Sequence, residues 1–414
     1  MRILQIIRTL NPCYGGPAQG VRDSTHQLAS LGHRAEILTL DRPGSPWAKH
    51  LDVPVIDVGP SYSDYRYSPR LVPWLERHAL NYDAVIVNGV WDYAAVGSWR
   101  VLRNSATPYF VYTHGMLDPW FQKTYPLKHI KKTVYWKLWA NRLLRDARAV
   151  LFTCEEERRL AGTSFSPYRC NTRVVSYGTK QPPDGAARQT REFFARFPML
   201  AGRRIILFLG RIHRKKGCEV LIRAFAQVAS RDPRLHLVLA GPDSALSSEL
   251  RRLASRLGVS QRITWTGGLF DDLKWGALRS AELFALSSHA ESFGVSVIEA
   301  MACCVPVAIS NKVNIWREIV AEGAGYASSD DVAGTAGVLE KWLAAGDPAR
   351  AAMRQNAIRC FRKHYEVRHS VEKLIRTLEF CGVANTACRA ATKGSGPEFI
   401  PLAALSQTKE YRTS

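Results

Sequence analysis

Acidic residues are scarce in this chain. Its 414 residues hold 36 Asp and Glu against 57 Lys and Arg, giving a net charge of +21 and a pI near 9.8. Such an imbalance calls for an acidic partner: nucleic acid, an anionic membrane surface or a phosphorylated substrate. Cysteine is sparse and unpatterned. The count of nine is odd, and apart from the adjacent Cys303-Cys304 the residues are scattered without Cys-x-x-Cys spacing. Neither a disulfide framework nor a zinc site is indicated, and a reducing cytosol is the expected setting. No apolar run approaches the roughly 20 residues of a membrane span. The opening run at 1–8 is too short for a signal peptide, so a cytoplasmic chain is expected, with any membrane contact peripheral. Asp-x-Asp occurs nowhere, so that pattern is not available to hold a divalent cation. Gly15-Gly16 lacks the Gly-x-Gly-x-x-Gly spacing of a dinucleotide fingerprint, which weighs against an oxidoreductase. No repeat at solenoid periods is visible.

What is present is 46% hydrophobic residues in a chain long enough for two domains. Short apolar runs at 3–7, 35–40, 84–87, 109–112 and 150–152 read as strands, with helices at 16–31 and around 96–103. A turn-rich joint at 179–200 interrupts the rhythm, which restarts with strands at 204–210, 235–240, 263–266 and 283–286. Helical segments at 217–229, 247–257 and 273–280 lie between them, and an amphipathic helix covers 365–380. Repeated βαβ units imply parallel sheets with helices on both faces. Two Rossmann-like domains, at 1–178 and 179–363, fit better than one large sheet. A closing helix at 364–383 and a polar, loosely ordered tail at 384–414 complete the expected organisation.

Two segments of the second domain carry chemistry. Glu291-Ser292-Phe293-Gly294-Val295 leads from a buried strand into a helix, and a second carboxylate, Glu299, follows after seven intervening residues. A strand, a glycine turn and a helix N-terminus form a seat for phosphate, because free N–H groups and the helix dipole both favour an anion. Glu299 is expected in the first helical turn and Glu291 on the loop before it. The other segment is Gly210-Arg211 to Lys216-Gly217, a basic loop between a strand and a helix, at the sheet edge where ligands bind in doubly wound domains. Arg211 can fork onto phosphate oxygens, and Lys216 supplies a point charge for a leaving diphosphate.

Together with Gly15-Gly16-Pro17-Ala18, Asn88-Gly89-Val90-Trp91 and Thr113-His114-Gly115-Met116-Leu117-Asp118-Pro119-Trp120, these motifs resemble the retaining glycosyltransferases of group 1, family four. They look most like the branch that builds bacterial surface and exopolysaccharides, and the resemblance runs to about residue 380. It implies a GT-B fold, two Rossmann-like domains facing across a cleft with the C-terminal helix returning to the first domain. It also implies transfer of a sugar from a nucleotide diphosphate donor to a saccharide acceptor, one linked to polyprenyl diphosphate being a candidate, without metal or other cofactor. By resemblance, Arg211, Lys216, Gly16 and the backbone of Phe293, Gly294 and Val295 bind the diphosphate, and Glu299 holds the ribose. Glu291 contacts the donor sugar, His114 sits beside the transferring sugar, and Asp118 is an acceptor-side candidate that could instead order its loop. The chain departs from the family pattern at Ser176-Tyr177-Gly178-Thr179, which is expected to affect the hinge. It departs again at Cys303-Cys304-Val305-Pro306, where relatives carry a glycine-rich loop before the final strand and tighter packing is expected.

Between Lys123 and Arg148, eight Lys or Arg residues and the single acid Asp146 are interleaved with Tyr125, Tyr135, Trp136 and Trp139. Laid out at 100° per residue, the apolar and basic positions do not separate into clean faces. The stretch reads either as an anionic-membrane contact at the inner face of the cell membrane or as a domain helix with core aromatics and solvated charges. The overall charge and the implied acceptor favour the membrane. Two further functions fit the composition less well. A nucleotide-sugar epimerase would not need both the Arg-x4-Lys loop and the paired glutamates, and no nucleic-acid-binding module is recognisable.

Overall fold

The computed structural model describes residues 1–48 and 51–384. The tail expected at 384–414 lies outside the described residues from 385 onward. In the first half, β1 (Arg2–Ile7), α1 (Gly16–Ser30), β2 (Arg34–Thr39) and β3 (Val55–Asp57) come first. Then come α2 (Leu71–His78), β4 (Ala84–Asn88), α3 (Tyr93–Leu102) and β5 (Tyr109–Tyr112). After α4 (Trp120–Thr124) and α5 (Pro126–Tyr135), a π turn at Trp136–Ala140 leads into α6 (Asn141–Asp146). β6 (Ala149–Phe152), α7 (Glu155–Ala161) and β7 (Thr172–Val174) close the sheet.

The second half opens with α8 (Ala186–Arg196), β8 (Arg204–Leu209), α9 (Cys218–Val228) and β9 (Leu235–Ala240). It continues through α10 (Ala245–Arg256), β10 (Ile263–Gly267), α11 (Asp271–Ser280) and β11 (Leu283–Leu286). α12 (Val295–Ala302), β12 (Val307–Ser310), α13 (Trp316–Ala321) and β13 (Gly325–Ser328) complete this sheet. Three helices end the described chain: α14 (Val332–Ala344), α15 (Asp347–His364) and α16 (Val367–Phe380).

Both sheets are parallel. Their orders are β3-β2-β1-β4-β5-β6-β7 and β10-β9-β8-β11-β12-β13, so the winding reverses between β1 and β4 and again between β8 and β11. Helices cover both faces, which is why inner strands such as β4, β6, β9 and β11 are buried at every residue and read as continuous apolar runs. The edge strands β3 and β7 escape a periodicity reading because each has only three half-buried residues.

Two expectations need correction. Half of the joint at 179–200 is α8, whose buried Phe193 and Gln189 pack it on α11. Gly276 permits the approach, since a Cβ there would meet the Gln189 carbonyl. And β12 is not the last strand, because β13 lies outside it. The two crossings between domains are tied to each other. The Thr179 N–H donates to the Tyr365 carbonyl at 3.0 Å, and the Val367 N–H donates to the Thr179 carbonyl at 3.0 Å. From there α16 returns to the first domain, packs against α1 and places Phe380 5.2 Å from the Arg173 guanidinium.

At the end of α12 the chain turns through Cys304 with φ +59°, a left-handed conformation that suits glycine. The departure from the family's glycine-rich loop therefore leaves backbone strain, with Cys303 and Val305 buried on either side. Replacing Cys304 with Gly should be neutral to stabilising by up to ~1 kcal/mol. Cys304→Val, β-branched at a left-handed position, should cost about 1–2 kcal/mol in urea unfolding. A stability loss on Cys304→Gly would show that thiol packing outweighs the strain.

Candidate active site

Both ligand-facing loops of the second domain leave strands at its reversal point. The loop after β8 is drawn onto the loop after β11. Gly217, at φ +68°, sits where a Cβ would collide with the Ser287 carbonyl, and the Lys215 carbonyl accepts from His289 N–H at 2.8 Å and Ser288 Oγ at 2.9 Å. This brings Lys216 Nζ into an ion pair with Glu291 Oε2. Burial pushes the Glu291 carboxyl up, but Lys216, Lys215 and a hydrogen bond from Gly294 N–H more than offset it and hold it below its usual range. Lys215 is lowered by burial, with Glu291 and Asp118 opposing that shift. Arg211 is exposed at the cleft, with no carboxylate paired to it among the described residues.

Gly294 caps α12 at φ +74°, so helical N–H groups begin at Val295. Glu299 is the fifth residue of the helix and belongs to its second turn, where the sequence placed it in the first. It is buried and accepts from Lys274 Nζ at 2.8 Å.

The first domain presents its own reversal point to these loops. α1 begins at Gly16, and a Cβ on Gly16 would lie 3.1 Å from Val295 Cγ2, so the first residues of α1 and α12 meet across the cleft. Pro17 consequently takes the second helical position. A Cβ on Gly115 would collide with the Ser292 side chain, and Cys154 Sγ donates to the Ser292 carbonyl at 3.6 Å. His114 adopts φ +48°. Its loop is fixed by the buried carboxylate of Glu157, which accepts from Thr113 Oγ1 and Gly115 N–H, both at 2.6 Å. The imidazole stacks on Tyr112 and stands edge-on to Tyr177, with ring centroids 5.5 and 5.1 Å apart. Asn88 Oδ1 lies 3.0 Å from His114 Nε2 and 3.2 Å from the Tyr177 hydroxyl, while its Nδ2 donates to Gln5 Oε1 and the Ile6 main-chain carbonyl. In that network Nε2 carries the proton and donates, leaving the Nδ1 lone pair.

Asp118 orders its own loop, accepting from Trp120 N–H at 2.8 Å, and also lines the cleft, so both of its expected roles remain open to it. The cleft there encloses about 390 Å³ between Arg211, Lys215 and Lys216 on one wall and α4 and α5 on the other. Arg211, Lys216 and Asp118 line this cleft, Glu291 joins it through its ion pair with Lys216, and Gly294 and Val295 adjoin Glu291 and Gly16. Glu299 lies deeper, toward α1, where Asp23 is raised by burial and by its charge.

Sequence reasoning missed Asn88 and Glu157, which hold the His114 loop, and Lys274, the partner of Glu299. It also treated Tyr177 as a matter of the hinge, whereas the ring lies against His114 and 6.4 Å from Phe293. Asn88 was legible as part of the Asn-Gly-Val-Trp motif. Glu157 and Lys274 had no local signal.

Two doubly wound domains that meet at their reversal points, with a basic loop and a helix N-terminus on the floor, define the GT-B class of glycosyltransferases. Residues 189–359 match the family described as glycosyl transferases group 1, and residues 15–178 match the glycosyl transferase 4-like domain. Mannosylfructose-phosphate synthase of Agrobacterium fabrum is 25% identical over 342 residues, 74% of this chain and 73% of that one. D-inositol 3-phosphate glycosyltransferase of Rhodococcus opacus is 38% identical over 113 residues, only 26% of this chain and 25% of that one. The fold is that of Anabaena HepE, solved with UDP and glucose, at a TM-score of 0.71 and 18% identity over 92% of this chain and 99% of that one. The chain is a group 1 glycosyltransferase.

Burial pulls the His114 imidazole down to about 3. In the unfolded chain it titrates near 6.5, so between those values the unfolded state binds a proton that the folded state refuses. The stabilising contribution of the neutral ring is full above about pH 6.5 and is lost as pH falls toward about 3. His114→Asn, which tolerates the left-handed backbone, should lose stability less steeply than the wild type in urea titrations from pH 7 to 4. The difference should approach ~1.4 kcal/mol per pH unit. Parallel slopes would mean the ring accepts a proton in place.

Proposed function

We propose that this glycosyltransferase moves a sugar from a nucleotide diphosphate donor, with retention and without a metal, to a surface-polysaccharide or lipid-linked saccharide acceptor. The observation that carries this reading is the meeting of α1 and α12 at their first residues, beside Arg211 and the Lys216–Glu291 pair. Breaking the sugar–phosphate bond leaves positive charge on the anomeric carbon and negative charge on the departing diphosphate. Arg211, Lys216 and the amides of Phe293, Gly294 and Val295 stabilise the second, an arrangement fixed before reaction. Gly16 lets the chain approach the diphosphate without a side chain in the way. The acceptor oxygen attacks from the face the phosphate leaves, and a phosphate oxygen takes its proton. Glu291, ionised and tethered to Lys216, faces the donor sugar. His114, neutral with Nδ1 unprotonated, accepts a hydrogen bond from a sugar hydroxyl. Glu299 holds the ribose, and Asp118 contributes on the acceptor side. UDP and glucose in the Anabaena protein of the same fold support a nucleotide-sugar donor here.

The same reading puts the enzyme at the inner face of the cell membrane. On α5, Leu127, Ile130 and Val134 are 81%, 62% and 56% exposed and fall on one helical face, with Leu138 and Trp139 exposed beyond it. Lys131 and Lys137 flank this face and complement an anionic lipid surface. The faces that blur over the whole 123–148 stretch are distinct within α5, because the π turn after it shifts the helical phase.

A donor screen that measures nucleoside diphosphate release should find one preferred nucleotide sugar. Lys216→Ala should lower turnover with it by about 100-fold or more, and unchanged turnover would displace the phosphate site from this loop. Glu299→Ala should raise the donor KM more than it lowers kcat. An epimeric nucleotide sugar formed without release would replace transfer altogether. In flotation assays the enzyme should bind vesicles containing anionic lipid at low salt and leave them at high salt, and Leu127→Ser with Ile130→Ser should abolish binding. Binding indifferent to lipid charge would sink the membrane reading.

A further inference from the structure

α5 is amphipathic in the reverse sense for a surface helix. Its apolar residues Leu127, Ile130 and Val134 face solvent, while Lys128, His129 and Lys132 line the cleft. Lys132 is half-buried and packs against aromatic faces, 4.8 Å from the Trp91 ring and 4.9 Å from that of Phe121. Lys215 of the second domain lies 5.0 Å from the same Phe121 ring. No carboxylate is paired with Lys132 among the described residues. The charges that act on it are Lys128 and Lys215, both repulsive, and they add to burial in lowering it. The nearest acid on the cleft wall, Asp118, is drawn to Lys215 and Lys312. Cation–π contacts offset only part of the cost of holding an ammonium there. An anion between these lysines would remove the rest.

We infer that Lys132, with Lys128 and His129, forms a second anion subsite on the first-domain wall of the cleft, and that it takes a phosphate or diphosphate group carried by the acceptor. This deepens the transferase reading and rests on it. The donor diphosphate is met by Arg211, Lys216 and the α12 N-terminus, so two phosphate-bearing substrates lie on opposite walls, with Lys215 between them. The outward apolar face of the same helix would place this subsite just above a lipid surface, where a lipid-linked phosphate enters.

The test uses the full-length protein with inorganic phosphate and pyrophosphate as probes, followed by calorimetry with and without saturating nucleoside diphosphate. Wild type should bind the probe even when the nucleotide site is full. Lys132→Met, which keeps the apolar stem over Trp91 and Phe121, should weaken that binding about tenfold or more, while Lys132→Arg stays within about threefold and nucleotide affinity is unchanged in both. Lys216→Ala should do the converse. Probe binding that vanishes with nucleotide present, or that ignores Lys132→Met, overturns the subsite. Failure of every nucleotide to bind sinks the donor reading, and the probe titration on nucleotide-free Lys132→Met and Lys216→Ala still decides the subsite. Competition by geranyl phosphate identifies the source. An advantage over inorganic phosphate that is lost in the Leu127→Ser, Ile130→Ser variant marks a lipid-linked acceptor, and equal affinity marks a soluble phosphorylated sugar.

Discussion

Bare glycine main chain of the first domain has to meet residues of the second at the floor of the cleft, and the rest of the site depends on that approach. Two doubly wound sheets each open a crevice at their reversal point, and a donor held by both must be narrower than the gap between them. Gly16 against Val295 and Gly115 against Ser292 close the gap between domains, while Gly217 against Ser287 folds the basic loop down onto the sheet edge. A methyl group at Gly115 or Gly217 would enter space already occupied by Ser292 or Ser287, and at Gly16 it would press on Val295. The paired backbone bonds between Thr179 and the 365–367 segment keep both domain crossings side by side, so the walls share one pivot.

Charge is arranged around that floor. Glu291 stays ionised although burial disfavours it, because Lys216 and Lys215 surround it. Lys216 in turn is fixed in place by the carboxylate and is not a loose surface cation. On the proposed reading, a diphosphate arriving there would compete with Glu291 for the ammonium, coupling sugar recognition to leaving-group stabilisation. Glu299 and Lys274 form a separate pair, one turn further along α12.

The sequence made the fold legible where burial is two-sided. Runs such as 84–87, 109–112 and 283–286 carry their own signal, and the strand ends fall within a residue of the expected ones. The three-residue edge strands and the α8 helix were hidden, the first by their length and the second by the turn-rich residues before it. In the site, the loop residues were visible because strand, glycine and helix follow one another in the chain. Glu157, Lys274 and Tyr177 act through space from other elements, and no local pattern could pair them with Gly115, Glu299 or His114. The faces of α5 were obscured by a π turn that only backbone geometry reveals.

The net charge of +21 takes on a more local meaning in this light. Some surface charge on the protein is paired, as in the Arg158–Glu155 and Arg159–Glu156 contacts on α7, and such pairs contribute little to stability. Among the cations without carboxylate partners in the described residues, Arg211, Lys128 and Lys132 line one cleft, where Asp118 is drawn to Lys215 and the nearby Glu291 to Lys216 and Lys215. A solvated basic surface would leave such groups at the rim with their hydration intact. Here Lys132 is held against two aromatic rings and two other ammonium groups, a placement that is costly without an anion and favourable with one. On the proposed reading, these cleft cations are the part of the excess charge that contacts substrate phosphate.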